Sequence, residues 1–107
     1  MIYISGRITG NKNWKEEFNA AEKYLRSTSI INGIIINPVE IAEIVEAECN
    51  NPKWRDYMDI SIRNLMNCSA IYMLLGWRQS KGARLERKIA KAFGMKIIYQ
   101  RKSECGK

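Results

Sequence analysis

The chain has 107 residues, 46% of them hydrophobic and 27% charged, and a formal net charge of +7. That length supports one packed core and not two, and the composition is that of a globular protein without low-complexity tracts or repeats. With no histidine and three cysteines (Cys49, Cys68, Cys105) at unpaired spacings, histidine-dependent triads, zinc sites and a disulfide framework are excluded, and no apolar run approaches the roughly 20 residues of a membrane span.

Met1–Ser5 is short, apolar and closed by Gly6 and Gly10. It lacks the basic region and long apolar core of a signal peptide, so it reads as a first buried strand. Gly6-Arg7-Ile8-Thr9-Gly10 follows with two flexible backbone positions, a guanidinium and a hydroxyl. Such a segment serves either as an ordinary turn or as a cradle for an oxyanion, held by backbone N–H groups and a bidentate arginine. It is neither a dinucleotide fingerprint nor a P-loop.

Asn13 is placed to cap a helix in which Trp14, Phe18, Ala21 and Leu25 form one apolar stripe. Gly33–Asn37 reads as a second strand through Ile34, Ile35 and Ile36. Pro38 opens a short helix through Val39, Ile41, Ile44 and Val45, and Asn50-Asn51-Pro52 breaks it. In the next helix Trp54, Met58, Ser61, Leu65 and Cys68 share a face, which favours the core over a base-stacking surface for Trp54, as for Trp14.

Ala70–Leu75 reads as the third strand and Gly82–Phe93 as a helix begun at Ser80. Gly94 ends that helix, and Met95–Tyr99 is the last strand. Tyr3 alternates with Ile2 and Ile4 and suits either the core or a stacking surface. Trp77, beside Gly76 in a loop, is the better stacking candidate. Continuously apolar strands separated by helices indicate an α/β protein with a small parallel sheet of four to five strands covered on both faces. Ligands of such sheets lie beyond the carboxyl ends of the strands. The loops after Ser5, Asn37 and Leu75 should therefore converge, bringing Gly6, Arg7, Thr9, Pro38, Gly76, Trp77 and Ser80 to one crevice.

Charge is uneven along the chain. The first sixty residues hold seven bases and nine acids, whereas Ser61–Ser103 holds ten bases and a single acid, Glu86. The excess favours a local anion site or a basic face. The face of Lys81, Arg84, Arg87, Lys88 and Lys91 would give salt-sensitive, non-specific affinity for nucleic acid. With no recognised nucleic-acid module present, that partner is disfavoured. Ser80 and Gly82 at a helix start offer a cap, an anion site, or both. Glu86 shares a helix face with Ala83 and Ala90, and borders the stripe of Leu85, Ile89 and Phe93. Positions 82 and 90 carry no cation to pair with it at i,i±4. A carboxylate with small neighbours can be desolvated, which raises its pKa, and can act as a nucleophile on an anomeric carbon. A structural ion pair with Arg87 or Lys88 is the alternative.

Taken together, Tyr3-Ile4-Ser5-Gly6-Arg7-Ile8-Thr9-Gly10, Ile36-Asn37-Pro38, the helix ending in Asn67-Cys68, Ile71-Tyr72-Met73-Leu74 and Gly76-Trp77…Ser80-Lys81-Gly82-Ala83…Glu86…Ala90…Gly94 resemble a small phage and bacterial group of the DUF4406 type. That group belongs to the nucleoside 2-deoxyribosyltransferase-like superfamily, which includes deoxynucleoside 5′-monophosphate N-hydrolases. The resemblance covers Met1 to about Tyr99. It implies a flavodoxin-like (Rossmann-like) three-layer fold over residues 1–100, a flexible tail over 101–107, no cofactor and no metal. It also implies a cytoplasmic homodimer or higher homo-oligomer, in a bacterium or an infected host, without membrane association.

By the same resemblance Glu86 is the nucleophile, and Ser80, six residues earlier, contacts a 5′-phosphate together with Arg7 and Thr9. Relatives usually carry aspartate where this chain has Ser61 and Ser69. The first of those helps bind the sugar and manage the proton, and Ser61 cannot act as that acid. Asp59 lies about 200° around the helix from Ser61's position and does not replace it. Two functions are thus expected: an N-glycosidic bond enzyme acting on a nucleotide, or a binding protein that keeps the pocket without efficient turnover, such as a phage factor that sequesters a nucleotide signal of host defence.

Overall fold

A computed structural model describes residues 1–28 and 33–102. The tail expected at 101–107 lies, from 103 onward, outside the described residues, and so does Cys105. The elements are β1 (Ile2–Ser5), α1 (Trp14–Ser27), β2 (Ile35–Ile36), α2 (Pro38–Glu48), α3 (Trp54–Met66), β3 (Ala70–Met73), a 3₁₀ turn (Trp77–Gln79), α4 (Lys81–Ala92) and β4 (Lys96–Tyr99). The four strands form one parallel sheet in the order β2-β1-β3-β4. This is a flavodoxin-like three-layer α/β fold. No helix among the described residues is long and apolar enough to cross a membrane.

Alternation along the strands sorts the core into two layers. Ile2, Ile4, Tyr72 and Leu74 face α1 and meet its Phe18, Ala21 and Leu25. Tyr3, Ile71 and Met73 face the other way and pack with Leu65 of α3 and with Ala83 and Ala90 of α4. Helix α2 contributes Val39 to the first layer and Ile41 and Val45 to the second. Tyr3 is thereby fully buried.

Several ends differ from the sequence expectation. Asn13 occupies the N-cap position of α1 without capping it; the backbone N–H of Asn13 instead donates to Asn11 Oδ1 at 3.1 Å. Strand β2 is shorter than Gly33–Asn37, because Asn37 is drawn into the next helix as its cap. Its Oδ1 accepts from the Val39 N–H at 3.0 Å, and its amide donates to Asn19 and Glu22 of α1 at 3.0 Å each. Pro38 takes the first helical position, where a missing N–H costs nothing.

The direction of strand connection reverses between β1 and β3, since β2 lies outside β1 and β4 outside β3. That reversal leaves a crevice over the carboxyl ends of the strands. Gly6 follows β1 immediately there, and a Cβ at this position would lie 2.9 Å from Leu74 Cβ. Only glycine lets the two strand exits run so close.

Candidate functional site

The buried face of α4 carries Ala83, Glu86 and Ala90, so the helix approaches the sheet through two methyl groups and one carboxylate. The apolar stripe of Leu85, Ile89 and Phe93 that borders this face is the less buried of the two: Phe93 is 62% exposed and Leu85 36%. What draws Glu86 inward is polar pairing with β1. Tyr3 and Ser5 alternate with Ile2 and Ile4, so both hydroxyls point toward α4. The Tyr3 hydroxyl donates to Glu86 Oε2 at 2.7 Å and the Ser5 hydroxyl donates to Oε1 at 2.6 Å.

These bonds are charge-assisted in the ionised state and favour it. Burial opposes them and dominates, pushing the Glu86 pKa from 4.5 up to about 7. Among the described residues the ion pairs are Arg26–Glu22 and Arg63–Asp59, neither of which reaches Glu86. Arg87 is turned away from it and donates from Nε to the Tyr99 hydroxyl at 2.8 Å. The salt-bridged alternative for Glu86 is not what the fold builds. Tyr3 is held well above its ordinary pKa near 10, first by burial and then by the neighbouring Glu86 charge, while hydrogen bonding from Ser61 acts in the opposite sense. Tyr3 is therefore a fixed donor and not a base.

Glu86 opens onto a cavity of about 670 Å³, within the range of about 300–1,000 Å³ typical of small-molecule sites. Eight residues anticipated from sequence line it: Tyr3, Gly6, Thr9, Pro38, Ser61, Ser80, Gly82 and Glu86. The remaining three do not. Arg7 is exposed and donates to the Gly10 carbonyl at 3.4 Å, and Gly76 and Trp77 face a different, smaller cavity. The convergence expected of the three loops thus holds for the first two, and for the third only from Gln79 onward.

Several lining residues were not anticipated. Trp54, expected in the core, is 41% exposed and stands at the cavity with Tyr57 and Met58, its ring covered by the Lys81 ammonium at 4.5 Å. Trp14 and Phe18 form another apolar surface, meeting edge to face at 5.6 Å between centroids. Glu46 adds a second, exposed carboxylate on the α2 side. Ser5 was overlooked as a site residue because its partner is 81 positions away.

At the start of α4 the Ser80 hydroxyl accepts from the Ala83 N–H at 3.1 Å, so Ser80 does cap the helix. The same turn lines the cavity through Ser80, Lys81 and Gly82, with the positive end of the helix dipole and a lysine close by. Gly82 brings the turn close to α3: a Cβ there would lie 3.2 Å from Met58 Sδ, and the thioether would have to give way. The cavity therefore combines aromatic walls, a buried carboxylate with hydroxyl neighbours, and a helix start suited to an anion.

Residues 1–99 match the model of a family described as a domain of unknown function, DUF4406. The chain belongs to the DUF4406 family. No curated protein and no solved structure matches it. In this DUF4406 chain the match spans every strand and helix, so the buried Glu86 and the residues lining its cavity lie within the family's extent.

Proposed function

We propose that this protein binds a small phosphorylated nucleotide in the cavity and acts on its N-glycosidic bond, with Glu86 as the nucleophile. The observation that carries the reading is the buried Glu86 carboxylate, with both oxygens held by hydroxyls and no cation paired with it among the described residues. A purely structural carboxylate gains little from such burial, because desolvation opposes its charge. At a reacting centre the same arrangement gives an aimed group that ionises near neutrality. The aromatic walls suit a base, and the Ser80–Gly82 helix start suits the 5′-phosphate.

In the reaction, an oxygen of ionised Glu86 bonds to the anomeric carbon as the bond to the base breaks. The electron pair leaves with the base, which takes a proton from water. Water then attacks the same carbon of the glycosyl ester, releasing sugar phosphate and restoring the carboxylate. Tyr3 and Ser5 orient Glu86 throughout, and their donated bonds shift from the carboxylate toward the ester as charge leaves it.

A second reading is favoured by Ser61. It is the buried polar residue on the α3 side of the cavity, next to Tyr3, where an acid would assist departure of the base. Losing a positioned acid or base costs about 10² to 10⁴ in rate, which would leave a protein that retains its nucleotide. The test is incubation with a panel of nucleoside 5′-monophosphates followed by mass spectrometry of the ligand. Free base, absent with Glu86→Gln, supports the enzyme; intact bound nucleotide supports the binder; absence of uptake for every member of the panel contradicts both.

A further inference from the structure

Gly76 and Trp77 belong to the ligand surface expected from sequence, yet they face a second cavity, of about 380 Å³, at the carboxyl ends of β3 and β4. Gln79 lines both cavities. The single 3₁₀ turn Trp77–Gln79 is thus the wall between them, and Ser80, the cap of α4, stands directly after it on the side of Glu86.

The second cavity is lined by Trp77, Tyr99 and one cation, Arg78, with Arg87 behind the two rings. Trp77 and Tyr99 lie 6.0 Å apart between ring centroids, with their planes tilted by 36°. The guanidiniums of Arg78 and Arg87 lie over the Trp77 ring at 5.2 and 5.1 Å. Arg87 is held there by its bond to the Tyr99 hydroxyl and lies 5.9 Å from that ring's centre. The Gln100 side-chain oxygen is fixed on the Leu75 N–H at 2.9 Å. No aspartate or glutamate is among the described residues that line this space. Two neighbouring rings beside a guanidinium, with no carboxylate among the described lining residues, suit a flat aromatic group attached to an anion.

We infer that the second cavity is a nucleobase subsite, and that the preferred ligand is a 5′-phosphorylated dinucleotide lying across Gln79. One nucleoside occupies the Glu86 cavity, the linking phosphate, which is that nucleoside's 5′-phosphate, passes between Ser80 and Arg78, and the second base rests against Tyr99 and Trp77. This rests on the nucleotide reading of the Glu86 cavity and extends it to the size of the ligand. Because the second base is tethered to the first nucleoside, its contact is intramolecular. Stacking of one base on such a platform corresponds to about tenfold to hundredfold in affinity.

Isothermal titration of the full chain tests this with three probes: a nucleoside 5′-monophosphate, the 5′-phosphorylated dinucleotide, and the same dinucleotide lacking its second base. The dinucleotide is expected to bind about tenfold to hundredfold more tightly than the other two. Because half-buried Trp77 packs on the core, the variants are Tyr99→Ala and Arg78→Ala, both at exposed positions. Tyr99→Ala should remove most of that gain and leave monophosphate affinity unchanged, whereas Arg78→Ala, which also bears on the phosphate beside Ser80, should remove the gain and weaken the monophosphate as well. Equal affinity for dinucleotide and monophosphate, or a gain that persists without the second base or in both variants, overturns the subsite and leaves the nucleotide reading standing. No binding of any of the three probes overturns both.

Discussion

Replacing Glu86 by glutamine removes the charge and keeps the shape, and its effect on stability has a definite dependence on pH. In the folded chain burial raises the Glu86 pKa from 4.5 to about 7, so between those values the native state holds a proton that the unfolded chain has released. The native protein is then fully stabilised by this group below about pH 4.5 and loses that contribution as pH rises through 7. The shift of 4.5 to about 7, at 1.36 kcal/mol per unit, corresponds to about 3 kcal/mol. Glu86→Gln carries no such titration, and all other groups cancel in the comparison of the two proteins. The stability of the variant relative to native should therefore increase by about 3 kcal/mol between pH 4.5 and 8 and level off above that. For a chain of this size the melting temperature of the variant relative to native should rise by on the order of 10 °C over that range. Thermal melts of both proteins in matched buffers measure it. A stability of the variant relative to native that stays constant with pH, or that falls as pH rises, refutes a desolvated Glu86.

Three other substitutions test separate parts of the site. Tyr3→Phe deletes the donor to Oε2, worth about 1.5–3 kcal/mol to a charged acceptor, so the Glu86 titration followed by carboxyl-carbon NMR should move up by about one to two pH units; an unchanged or lowered midpoint contradicts the hydrogen bond's role. Gly6→Ala forces a Cβ into Leu74 and should cost about 1–3 kcal/mol in urea unfolding, whereas a neutral result contradicts the close strand exit. Ser80→Ala removes the cap on Ala83 at about 1 kcal/mol of stability; it should also weaken a nucleoside 5′-monophosphate more than the unphosphorylated nucleoside in titration calorimetry, and equal weakening of the two contradicts the phosphate assignment.

How much of this was legible in sequence depended on whether the deciding contact was local. Strands β1 and β3 and the Pro38 and Ser80 helix starts are written in continuous apolar runs and capping residues, and they were found. Helix α4 was read with Glu86 on one face with Ala83 and Ala90, beside an apolar stripe of Leu85, Ile89 and Phe93, and periodicity alone did not say which of the two is buried. The chain buries Ala83, Glu86 and Ala90, since small side chains permit the approach and Tyr3 and Ser5 supply partners from β1. No pattern within α4 encodes a bond to a serine 81 residues away. Trp54 fits an apolar stripe by spacing, yet it lies in the first turn of α3, where the helix emerges from the core and the ring meets Lys81. Gly76 and Trp77 were assigned to the crevice by their place after β3, but the 3₁₀ turn that follows puts them on its far side.

The central claim, that Glu86 works on the sugar of a nucleotide bound in its cavity, is tested most directly by incubating the native chain and Glu86→Gln with nucleoside 5′-monophosphates and identifying the ligand by mass spectrometry. The account predicts uptake by both proteins, with free base released by the native chain and intact nucleotide recovered from the variant. Uptake by neither protein, or equal base release by both, would contradict it.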